Sequence, residues 1–479
     1  MSSEFQYLFP FELIRPNSKV LIYGAGELGI AYVEQLLLTN YAKVVGIVDR
    51  RWQEYQEMYV SVYSPSMIAN LVFDYVVVAL KTQIYLDDIL LNLCKAGIDK
   101  ERIVFVGVRT QKTDIFINSN NNIVSKLAYN IAPISIAMQF GGGLGDAIIK
   151  KKFILEIIKK IPNLKIDIYA PLNSDFFNAV YRDVSEINCL VNDSGALYQS
   201  QKGNYCLAMQ VFHMLRIDNM NIDKLRCYSP DFATLVEKAE RNIKEYALTN
   251  FPSEQDYLHY GRMRLHGYNI YGSYNYSGLV HIEKENWRVS IPQPTQDIVT
   301  KFNNMKLGEY ITFNYGNGTT SKSNKELNNK QWPAIYFEET IKLFKQAHPN
   351  VKILQLGDKT TDRIEGADEY ILGENFDMVK CLLKGAIIHL DTEGALVHLA
   401  TQLGTRCVVI FGSSPVDIFA YSDNINLKPT ECGGCIRLYG GSFACPLKKN
   451  PPACLSSIKV YQVVKSLDDC YKKYKFLLG

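Results

Sequence analysis

The sequence predicts an α/β protein built from several parallel-sheet units. Two observations predict this class, and a third predicts the number of domains. Apolar, strand-like runs end in glycine-containing turns near residues 24, 141 and 394, and a helical segment follows each turn. Strand and helix patterns alternate along most of the chain, which is typical of parallel sheets. At 479 residues the chain is too long for one ordinary core, so two or three domains are expected.

Composition narrows the class of protein. The chain has 52 Lys and Arg against 49 Asp and Glu, so its charge predicts neither a nucleic-acid-binding face nor a polybasic membrane anchor. Residues 1–19 lack the basic start and apolar core of a signal peptide. No apolar run approaches the ~18 residues of a membrane span. We therefore expect a cytoplasmic protein that binds no nucleic acid.

The first unit carries a dinucleotide-binding fingerprint. A strand over Val20–Tyr23 runs into Gly24, Gly26 and Gly29, a helix and a second strand follow, and Asp49 ends that strand. In such a unit the glycines form a tight turn near a pyrophosphate and the acidic residue binds a ribose hydroxyl. The pattern fits a domain that binds a nucleotide or nucleotide-sugar, and it also fits a degenerate scaffolding or assembly domain. No Tyr-x-x-x-Lys pair accompanies the fingerprint, so hydride transfer is not expected.

This first unit is predicted to end at residue 108, giving a Rossmann-like domain over residues 1–108. The following stretch, residues 109–132, is polar and rich in Asn and Ser, which is typical of a linker. Two further α/β units are predicted, over residues 133–305 and 306–479.

The second unit begins with a strand, Ile134–Phe140, and a glycine-rich turn that includes Gly143 and Gly145. Asp146 follows in the first turn of a helix predicted over Ala147–Ile161, where the helix dipole favours a carboxylate. Asp146 is either a helix cap or a carboxylate at the mouth of a cleft that accepts a proton from a hydroxyl group.

The third unit has a strand over Tyr310–Asn314 followed by a loop with small and hydroxyl residues. The backbone N–H groups and hydroxyls of such a loop can hold phosphate oxygens. The loop residues with this predicted role are Gly316, Gly318, Thr319 and Thr320.

The chain is organised around residues 386–415, which read as strand, turn, helix and strand. A strand is predicted over Ala386–Leu390, a turn over Asp391–Gly394 and a helix over Ala395–Leu403. A turn at the carboxyl end of a parallel strand, over a helix N-terminus, is where anionic ligands bind in open α/β sheets. The alternative is an ordinary unit in which the aspartate caps the helix.

Residues 257–287 are dense in tyrosine. Aromatic faces stack on sugar rings, so this segment is either an acceptor wall or a set of tyrosines packed between domains. His259, His266 and His281 in this segment lack metal-ligand spacing, and we expect them to be structural.

Four motifs together resemble the ADP-heptose-dependent heptosyltransferases of glycosyltransferase family 9. They are GGGLGD at Gly141–Asp146, KQWP at Lys330–Pro333, LQLGD at Leu354–Asp358 and DTEGALVHLATQLGTRCVVIFGSS at Asp391–Ser414. The resemblance covers residue 133 to the C-terminus, and it is strong in the last half and weak near residues 180–300.

This resemblance implies a GT-B fold, in which two Rossmann-like lobes face each other across a cleft. The lobe over residues 133–305 would bind the acceptor, with Gly143 and Gly145 on that side and Asp146 as the general base. The lobe over residues 306–479 would bind the donor. The implied donor contacts are Lys330, at a phosphate, with Asp391, Thr392, Gly394 and His398 at the nucleotide and sugar.

The sequence departs from the family pattern at one place in the donor motif. Glu393 is inserted before Gly394 and lengthens the spacing between Asp391 and His398. We therefore expect an altered donor pocket that includes Glu393, and heptose specificity is left open. Residues 1–108 are also outside the common family plan.

The same residues fit inverting transfer without a catalytic metal. The reaction needs a base on the acceptor hydroxyl and stabilisation of the departing diphosphate. Asp146 would supply the first, and Lys330, Thr319, Thr320 and the amides after Gly394 the second. No two aspartates have Asp-x-Asp spacing, so the metal-dependent motif of the other large transferase fold is absent from the sequence.

A cysteine finger is predicted over residues 432–454. Cys432, Cys435, Cys445 and Cys454 lie in a Gly- and Pro-rich segment that opens with Cys-x-x-Cys. Four thiolates can form a tetrahedral zinc site or an iron site. Two disulfides or four reduced thiols are the alternatives. This segment resembles the C-terminal cysteine finger of heptosyltransferases that act on proteins.

The resulting hypothesis is an inverting glycosyltransferase. It would transfer a sugar, with heptose expected, from a nucleoside-diphosphate sugar such as ADP-heptose to a lipooligosaccharide, capsule or other surface glycan, or to a protein. Lipid-linked acceptors, a homo-oligomer and a peripheral association with the inner membrane are all compatible with the sequence. The alternatives are an NAD-dependent nucleotide-sugar oxidoreductase or epimerase that uses residues 1–108, and a non-catalytic nucleotide-sugar-binding scaffold.

Overall fold

The structure is a computed structural model of the chain. It describes residues 7–55, 58–80, 85–106, 125–170, 174–193, 195–246, 252–316, 329–436 and 445–478. Within these ranges the strands form three separate sheets.

The first sheet has five parallel strands in the order β3-β2-β1-β4-β5. This order places the strand pair β1 and β4 at a topological switch point, where ligands bind in open α/β sheets. Its strands are β1 (Lys19–Tyr23), β2 (Lys43–Val48), β3 (Val62–Tyr63), β4 (Tyr75–Val78) and β5 (Ile103–Val104), and its helices are α1 (Glu27–Thr39) and α2 (Leu86–Lys95).

The second sheet also has five strands, in the order β10-β9-β6-β7-β8, and only the edge strand β10 is antiparallel to its neighbour. The strands are β6 (Ser135–Phe140), β7 (Lys165–Ala170), β8 (Ile187–Asn192), β9 (Leu207–Val211) and β10 (Leu215–Met220). The helices are α3 (Ala128–Ile131), α4 (Leu144–Ile158), α5 (Ser174–Tyr181), α6 (Ala196–Gln201), α7 (Ile222–Tyr228), α8 (Pro230–Tyr246) and α9 (Pro252–Leu265).

The third sheet has six parallel strands in the order β13-β12-β11-β14-β15-β16. The strands are β11 (Tyr310–Asn314), β12 (Lys352–Gly357), β13 (Glu369–Leu372), β14 (His389–Thr392), β15 (Cys407–Ile410) and β16 (Ile425–Leu427). The helices are α10 (Gln296–Asn304), α11 (Ala334–Ala347), α12 (Phe376–Gly385), α13 (Ala395–Gln402), α14 (Val416–Phe419), α15 (Ala453–Ser457) and α16 (Val460–Leu478).

Short 3₁₀ helices connect several of these elements. They are Phe11–Leu13, Trp52–Tyr55, Pro65–Asn70, Lys100–Arg102, Lys202–Asn204 and Ile270–Ser277. The last of these lies in the tyrosine-rich segment.

The predicted fold class is confirmed: the chain is α/β, with two lobes of the GT-B type preceded by a smaller Rossmann-like sheet. After the roles that the family resemblance implies, we call the lobe of the second sheet the acceptor lobe and that of the third sheet the donor lobe. The predicted bounds of one strand were wrong. The strand expected over Ala386–Leu390 is instead β14, which contains Asp391 and Thr392, because these two residues continue the parallel pairing with β15.

The two lobes are packed against each other. Ile148 of α4 and Val397 of α13 belong to one continuous cluster of buried apolar residues. Behind the cleft, the buried Lys380 of α12 donates to the backbone oxygens of Ala179, at 2.7 Å, and Pro292, at 3.0 Å. A buried ammonium is tolerated only where such acceptors surround it, so these bonds fix how the lobes meet.

Helix α4, which carries the predicted base, is held by its own buried lysines. Lys151 Nζ donates to the backbone oxygens of Val180, at 2.7 Å, and Ser290, at 2.8 Å. Lys152 Nζ donates to Asn286 Oδ1 at 2.8 Å. These contacts bind the helix to α5 and to the end of the tyrosine-rich stretch and the residues just after it, so the position of the helix is defined.

Among the residues that the structure describes, no helix has both the length and the apolar composition needed to cross a membrane.

Candidate active site

The glycine-rich turn after β6 places Asp146 at the start of α4. One carboxylate oxygen of Asp146 accepts the backbone N–H of Gly143 at 2.9 Å, which caps the helix. Lys150, one turn further along, donates its ammonium to the backbone oxygen of Gly141, and its nitrogen lies 5.2 Å from the centre of the Phe140 ring. The capping alternative is therefore part of the geometry, and the capping side chain also lines a small cavity.

Asp146 is held in its ionised form. Burial alone would raise the pKa of its carboxyl group, but Lys150, His213, the Gly143 amide and His398 act together in the opposite direction, and the pKa lies below its ordinary value. At neutral pH the side chain can therefore only accept a proton.

Asp146 lies where the two lobes touch. A Cβ atom on Gly145 would stand 2.8 Å from Cδ2 of His398 and 3.4 Å from Cα of Ala395. A side chain at position 145 would thus push α13 away from α4, and glycine is required for this close approach. The structure brings together Gly145, Asp146 and His398, which the sequence predicted on opposite sides of one cleft.

Glu393 is the centre of the polar contacts in the donor lobe. Its carboxylate pairs with Lys330 Nζ at 2.7 Å and with His398 Nε2 at 3.4 Å, and it accepts a hydrogen bond from the Ser414 hydroxyl. Burial would raise the pKa of Glu393, but Lys330 and His398 lower it far below its ordinary value. The lysine expected at a donor phosphate is therefore neutralised by a carboxylate of the same lobe.

Asp391 supports the donor-lobe turn from beneath. It is 1% exposed, and both of its carboxylate oxygens accept from Asn314 Nδ2 at 3.2 Å. His389 Nε2 lies 3.5 Å from Oδ2 of Asp391. Burial raises the pKa of Asp391, partly offset by His389 and Asn314. Thr392 and Gly394 connect this strand end to α13.

A chain of hydrogen bonds joins His398 to the tyrosine-rich segment. His398 Nδ1 bonds to the Tyr421 hydroxyl, which lies 2.8 Å from the Tyr271 hydroxyl. Gln402 Nε2 donates to Tyr271 Oη at 3.0 Å. Because both ring nitrogens of His398 face defined partners, the orientation of the imidazole is fixed.

The tyrosine-rich segment is largely packing, with two tyrosines beside the base. Tyr271 packs against Tyr421, and Tyr276 stacks on Tyr246 with ring centres 3.9 Å apart. Tyr260 and Tyr274 instead line a small cavity next to Asp146 (Phe212, His213, His259 and Ser273 are also in its wall). The packing interpretation thus describes most of this segment.

The phosphate loop is described only in part. Gly316 lies beyond β11, and its backbone oxygen accepts from Asn314 Nδ2 at 3.1 Å. The other three predicted loop residues, Gly318, Thr319 and Thr320, lie outside the described residues.

In the N-terminal sheet, Gly24 and Gly26 lie in the turn between β1 and α1, and Asp49 bonds to that turn. A Cβ on Gly29 would meet the backbone oxygen of Gly24 at 1.8 Å, whereas one on Gly26 would have no neighbour within 4 Å. The two carboxylate oxygens of Asp49 accept the backbone N–H groups of Ala25 and Arg51, each at 2.8 Å. The acidic residue expected at a ribose therefore already binds the turn, and nucleotide binding here stays a prediction.

The four cysteines of the predicted finger are neighbouring free thiols. Burial, followed by the proximity of Cys432 and Cys435, raises the pKa of Cys454 to about 12, and burial followed by Cys432 and Cys445 raises that of Cys435. Within the described ranges, however, no three His, Cys, Asp or Glu residues are placed so that they could hold one metal ion. Their sulfur chemistry fits zinc or iron, but their present geometry is not that of a ligand set.

Three residues of the site were missed by the sequence analysis. Ser414, the last residue of the donor motif, bonds to Glu393, and Tyr421, which follows the motif, bonds to His398. His213 follows β9 beside the base. The only available signal for His213 was its place after an apolar run, Leu207–Val211, at the carboxyl end of a parallel strand.

His259 gives a testable pH dependence of stability. Burial, reinforced by Arg262, lowers the pKa of His259 to about 3 from about 6.5. As the pH falls from about 6.5 towards 3, the unfolded chain binds a proton that the folded chain does not, so stability falls by up to about 1.4 kcal/mol per pH unit.

We therefore expect His259→Gln to reduce the loss of urea stability between pH 7 and pH 5. The matched control is His281→Gln, because His281 is exposed and bonded only to Glu283 in the described contacts. Equal pH slopes for His259→Gln and the wild-type protein would show that His259 is protonated normally in the folded state.

Residues 16–104 match the family model described as C2185-like, N-terminal. No curated protein matches the chain.

The search of solved structures returns members of the family that the sequence motifs resemble. A glycosyl transferase family 9 protein from Veillonella parvula is 15% identical, with a TM-score of 0.46 over 72% of this chain and 98% of that one. The Escherichia coli ADP-heptose lps heptosyltransferase II is 14% identical, with a TM-score of 0.38 over 71% of this chain and all of that one (100%). The iron-containing dodecameric glycosyltransferase TibC from enterotoxigenic E. coli is 12% identical, with a TM-score of 0.45 over 71% of this chain and 78% of that one.

Proposed function

We propose that this chain is an inverting glycosyltransferase that uses a nucleoside-diphosphate sugar. One observation carries the proposal: an ionised carboxylate, Asp146, stands at the contact between two α/β lobes, next to His398 and the Lys330–Glu393 pair of the other lobe. A base on one lobe and a cationic site on the other are the two elements that the reaction needs.

In this mechanism, the acceptor hydroxyl attacks the anomeric carbon from the side of Asp146. Asp146 takes the hydroxyl proton as the new C–O bond forms, and the bond to the diphosphate breaks with its electron pair leaving on the phosphate oxygen. Lys330 and the N–H groups at the start of α13 stabilise the leaving group. His398, held by Tyr421, contributes a fixed polar group beside the reacting atoms.

Glu393 gives the donor pocket its particular character. A donor diphosphate would take the place of the Glu393 carboxylate at Lys330, because both anions seek the same ammonium group. After this exchange Glu393 would still be held by Ser414 and His398. We propose that the carboxylate then accepts hydrogen bonds from hydroxyl groups of the donor, which makes it a residue that selects the donor.

The direct experiment is an assay of purified protein with ADP-, GDP-, UDP- and CDP-sugars. We expect thermal stabilisation by one class of nucleotide-sugar and transfer to a surface glycan, lipid-linked glycan or protein acceptor, with heptose as the first sugar to test. Stabilisation without transfer or hydrolysis of any donor would instead support a non-catalytic binding protein. A cytoplasmic location and the domain limits at residues 108, 132 and 305 remain predictions.

The oxidoreductase alternative is separately testable. Mixing the protein with NAD(H) and nucleotide-sugars should leave the absorbance at 340 nm unchanged. The bonding of Asp49 to the backbone of its own turn gives no support to catalysis at the N-terminal sheet.

Catalysis is expected to be independent of a divalent metal. The proposed leaving-group contacts are a lysine, a histidine and backbone amides, so EDTA should leave the transfer rate unchanged. A rate abolished by EDTA and restored only by Mn²⁺ or Mg²⁺ would contradict this prediction. Metal bound by the four cysteines of residues 432–454 is measured separately.

We also propose that the four cysteines of residues 432–454 rearrange to bind one structural zinc or iron ion, supported by their Cys-x-x-Cys opening and by the nearness of Cys432 and Cys435 to Cys454. Elemental analysis should find about one equivalent per chain. Cys454→Ser should lose the metal, while Cys227→Ser, an exposed cysteine elsewhere, should keep it. Wild-type protein with almost no zinc or iron would refute the site.

A further inference from the structure

A small cavity lies against Asp146 on the acceptor side. Its volume is about 10 Å³, which is the space of about one water molecule. Four elements of the acceptor lobe contribute its polar wall: Asp146 and Lys150 from α4, His213 after β9, His259 and Tyr260 from α9, and Ser273 and Tyr274 from the 3₁₀ helix.

The bonding of His259 indicates that a water molecule occupies this cavity. Its Nδ1 bonds to the Tyr246 hydroxyl at 3.0 Å, whereas its buried Nε2 finds no hydrogen-bond partner among the described residues. Buried polar atoms are almost always bonded, to ordered water where protein groups do not reach. A water in the cavity would therefore satisfy His259 and contact the wall that Asp146 shares.

His213 is placed to exchange a proton with that water. It is half-buried, and its Nδ1 lies 3.2 Å from the Tyr260 hydroxyl. In the tautomer in which Nδ1–H donates to Tyr260, Nε2 carries the lone pair that accepts a proton. The Tyr274 hydroxyl donates to the backbone oxygen of Phe212 at 2.5 Å, which fixes the segment that bears His213.

Asp146 needs a group that accepts the proton it has taken from the acceptor. When His213 is neutral, Lys150, the Gly143 amide and His398 still favour the ionised form of Asp146. A carboxyl group in these surroundings releases a proton readily, so the proton that it takes from the acceptor must move on before the next turnover. Two other groups in the cavity wall are less suited, because burial lowers the pKa of His259 and raises that of Tyr274. Lys150 already carries a positive charge beside Asp146.

We propose that His213 receives the acceptor's proton from Asp146 through the cavity water and passes it to solvent. The inference rests on the proposed glycosyl transfer. The acceptor O–H bond breaks as the glycosidic C–O bond forms, and the proton moves from Asp146 through the water to His213 Nε2. The imidazolium then loses it to solvent, and the electron pair of the broken sugar–phosphate bond leaves on the diphosphate. His213 is thus a positioning and relay residue for the base, held by Tyr260.

The test compares His213→Gln with wild-type protein, with His266→Gln, an exposed histidine, as the matched control. We expect the turnover of His213→Gln at pH 7 to fall by about tenfold to a hundredfold, with unchanged affinity for the nucleotide-sugar. Added imidazole should restore part of the rate, and the limb of the wild-type pH profile that reports His213 should disappear. Tyr260→Phe should show a smaller loss of turnover with the same change of profile.

The outcomes separate the relay from the proposed function. If wild-type protein transfers sugar and His213→Gln transfers it equally well, the relay is overturned and the glycosyltransferase stands. A loss of rate that imidazole does not restore, with the pH profile unchanged, also overturns the relay in favour of a structural role. If wild-type protein transfers no sugar to any acceptor, the proposed function fails first, and the relay with it.

Discussion

Replacing Asp146 by asparagine is expected to lower the turnover of sugar transfer by about 10²- to 10⁴-fold. Asparagine keeps an oxygen that can accept the Gly143 N–H, so the helix cap survives, but it cannot take a proton. Nucleotide-sugar affinity should stay close to the wild-type value, since the donor contacts are assigned to the other lobe. Turnover and donor affinity are measured separately, by product formation and by titration calorimetry.

The matched control is Asp231→Asn, the same change in the first turn of α8, at an exposed position of the same lobe. It should leave both quantities unchanged. An Asp146→Asn protein that loses donor binding and turnover equally would show that Asp146 is structural and not the base.

The second large effect is expected at the Lys330–Glu393 pair. Both side chains are largely buried, with 16% and 6% of their surfaces exposed. Removing one partner of a buried ion pair leaves an uncompensated charge. Lys330→Met should therefore destabilise the donor lobe by about 3 kcal/mol. This value is at the lower end of the range for broken buried ion pairs because Ser414 and His398 still bond to Glu393. The same substitution should also weaken nucleoside diphosphate binding by about tenfold or more through the lost charged contact.

A double-mutant cycle isolates the pair. Lys330→Met with Glu393→Gln should be more stable than the sum of the single changes predicts, by about 1–3 kcal/mol. Urea unfolding can be followed by fluorescence, since Trp332 is buried in the same lobe. The control cycle uses the more exposed Lys345–Asp368 pair, for which a coupling below about 1 kcal/mol is expected. Similar couplings in the two cycles would contradict the special role of the buried pair.

The order of the elements followed from local signals in the sequence. Glycine turns after apolar runs located the three sheets because a strand–turn–helix unit is specified within about 20 residues of chain. The position of Asp146 in the first turn of α4 followed in the same way. The prediction ended strand β14 too early because Asp391 and Thr392 are residue types that are common in turns. Only the pairing with β15 shows that these two residues complete the strand.

The contacts that define the site were not predictable from local sequence. Lys330 and Glu393 are separated by 63 positions, and Tyr271 and Tyr421 by 150. Such pairs depend on the packing of helices and lobes, which has no local signature. The acceptor lobe was also the weakest part of the family resemblance, and His213, at the end of β9, therefore went unnoticed.

The most direct measurement is a crystal structure of this chain with an unreactive nucleoside-diphosphate sugar analogue. The account predicts the diphosphate at Lys330 and the start of α13, with Glu393 displaced from Lys330. The anomeric carbon should lie within about 6 Å of the Asp146 carboxylate, leaving room for one acceptor oxygen between them. An analogue bound only at the N-terminal sheet, or with its anomeric carbon turned away from Asp146, would contradict it.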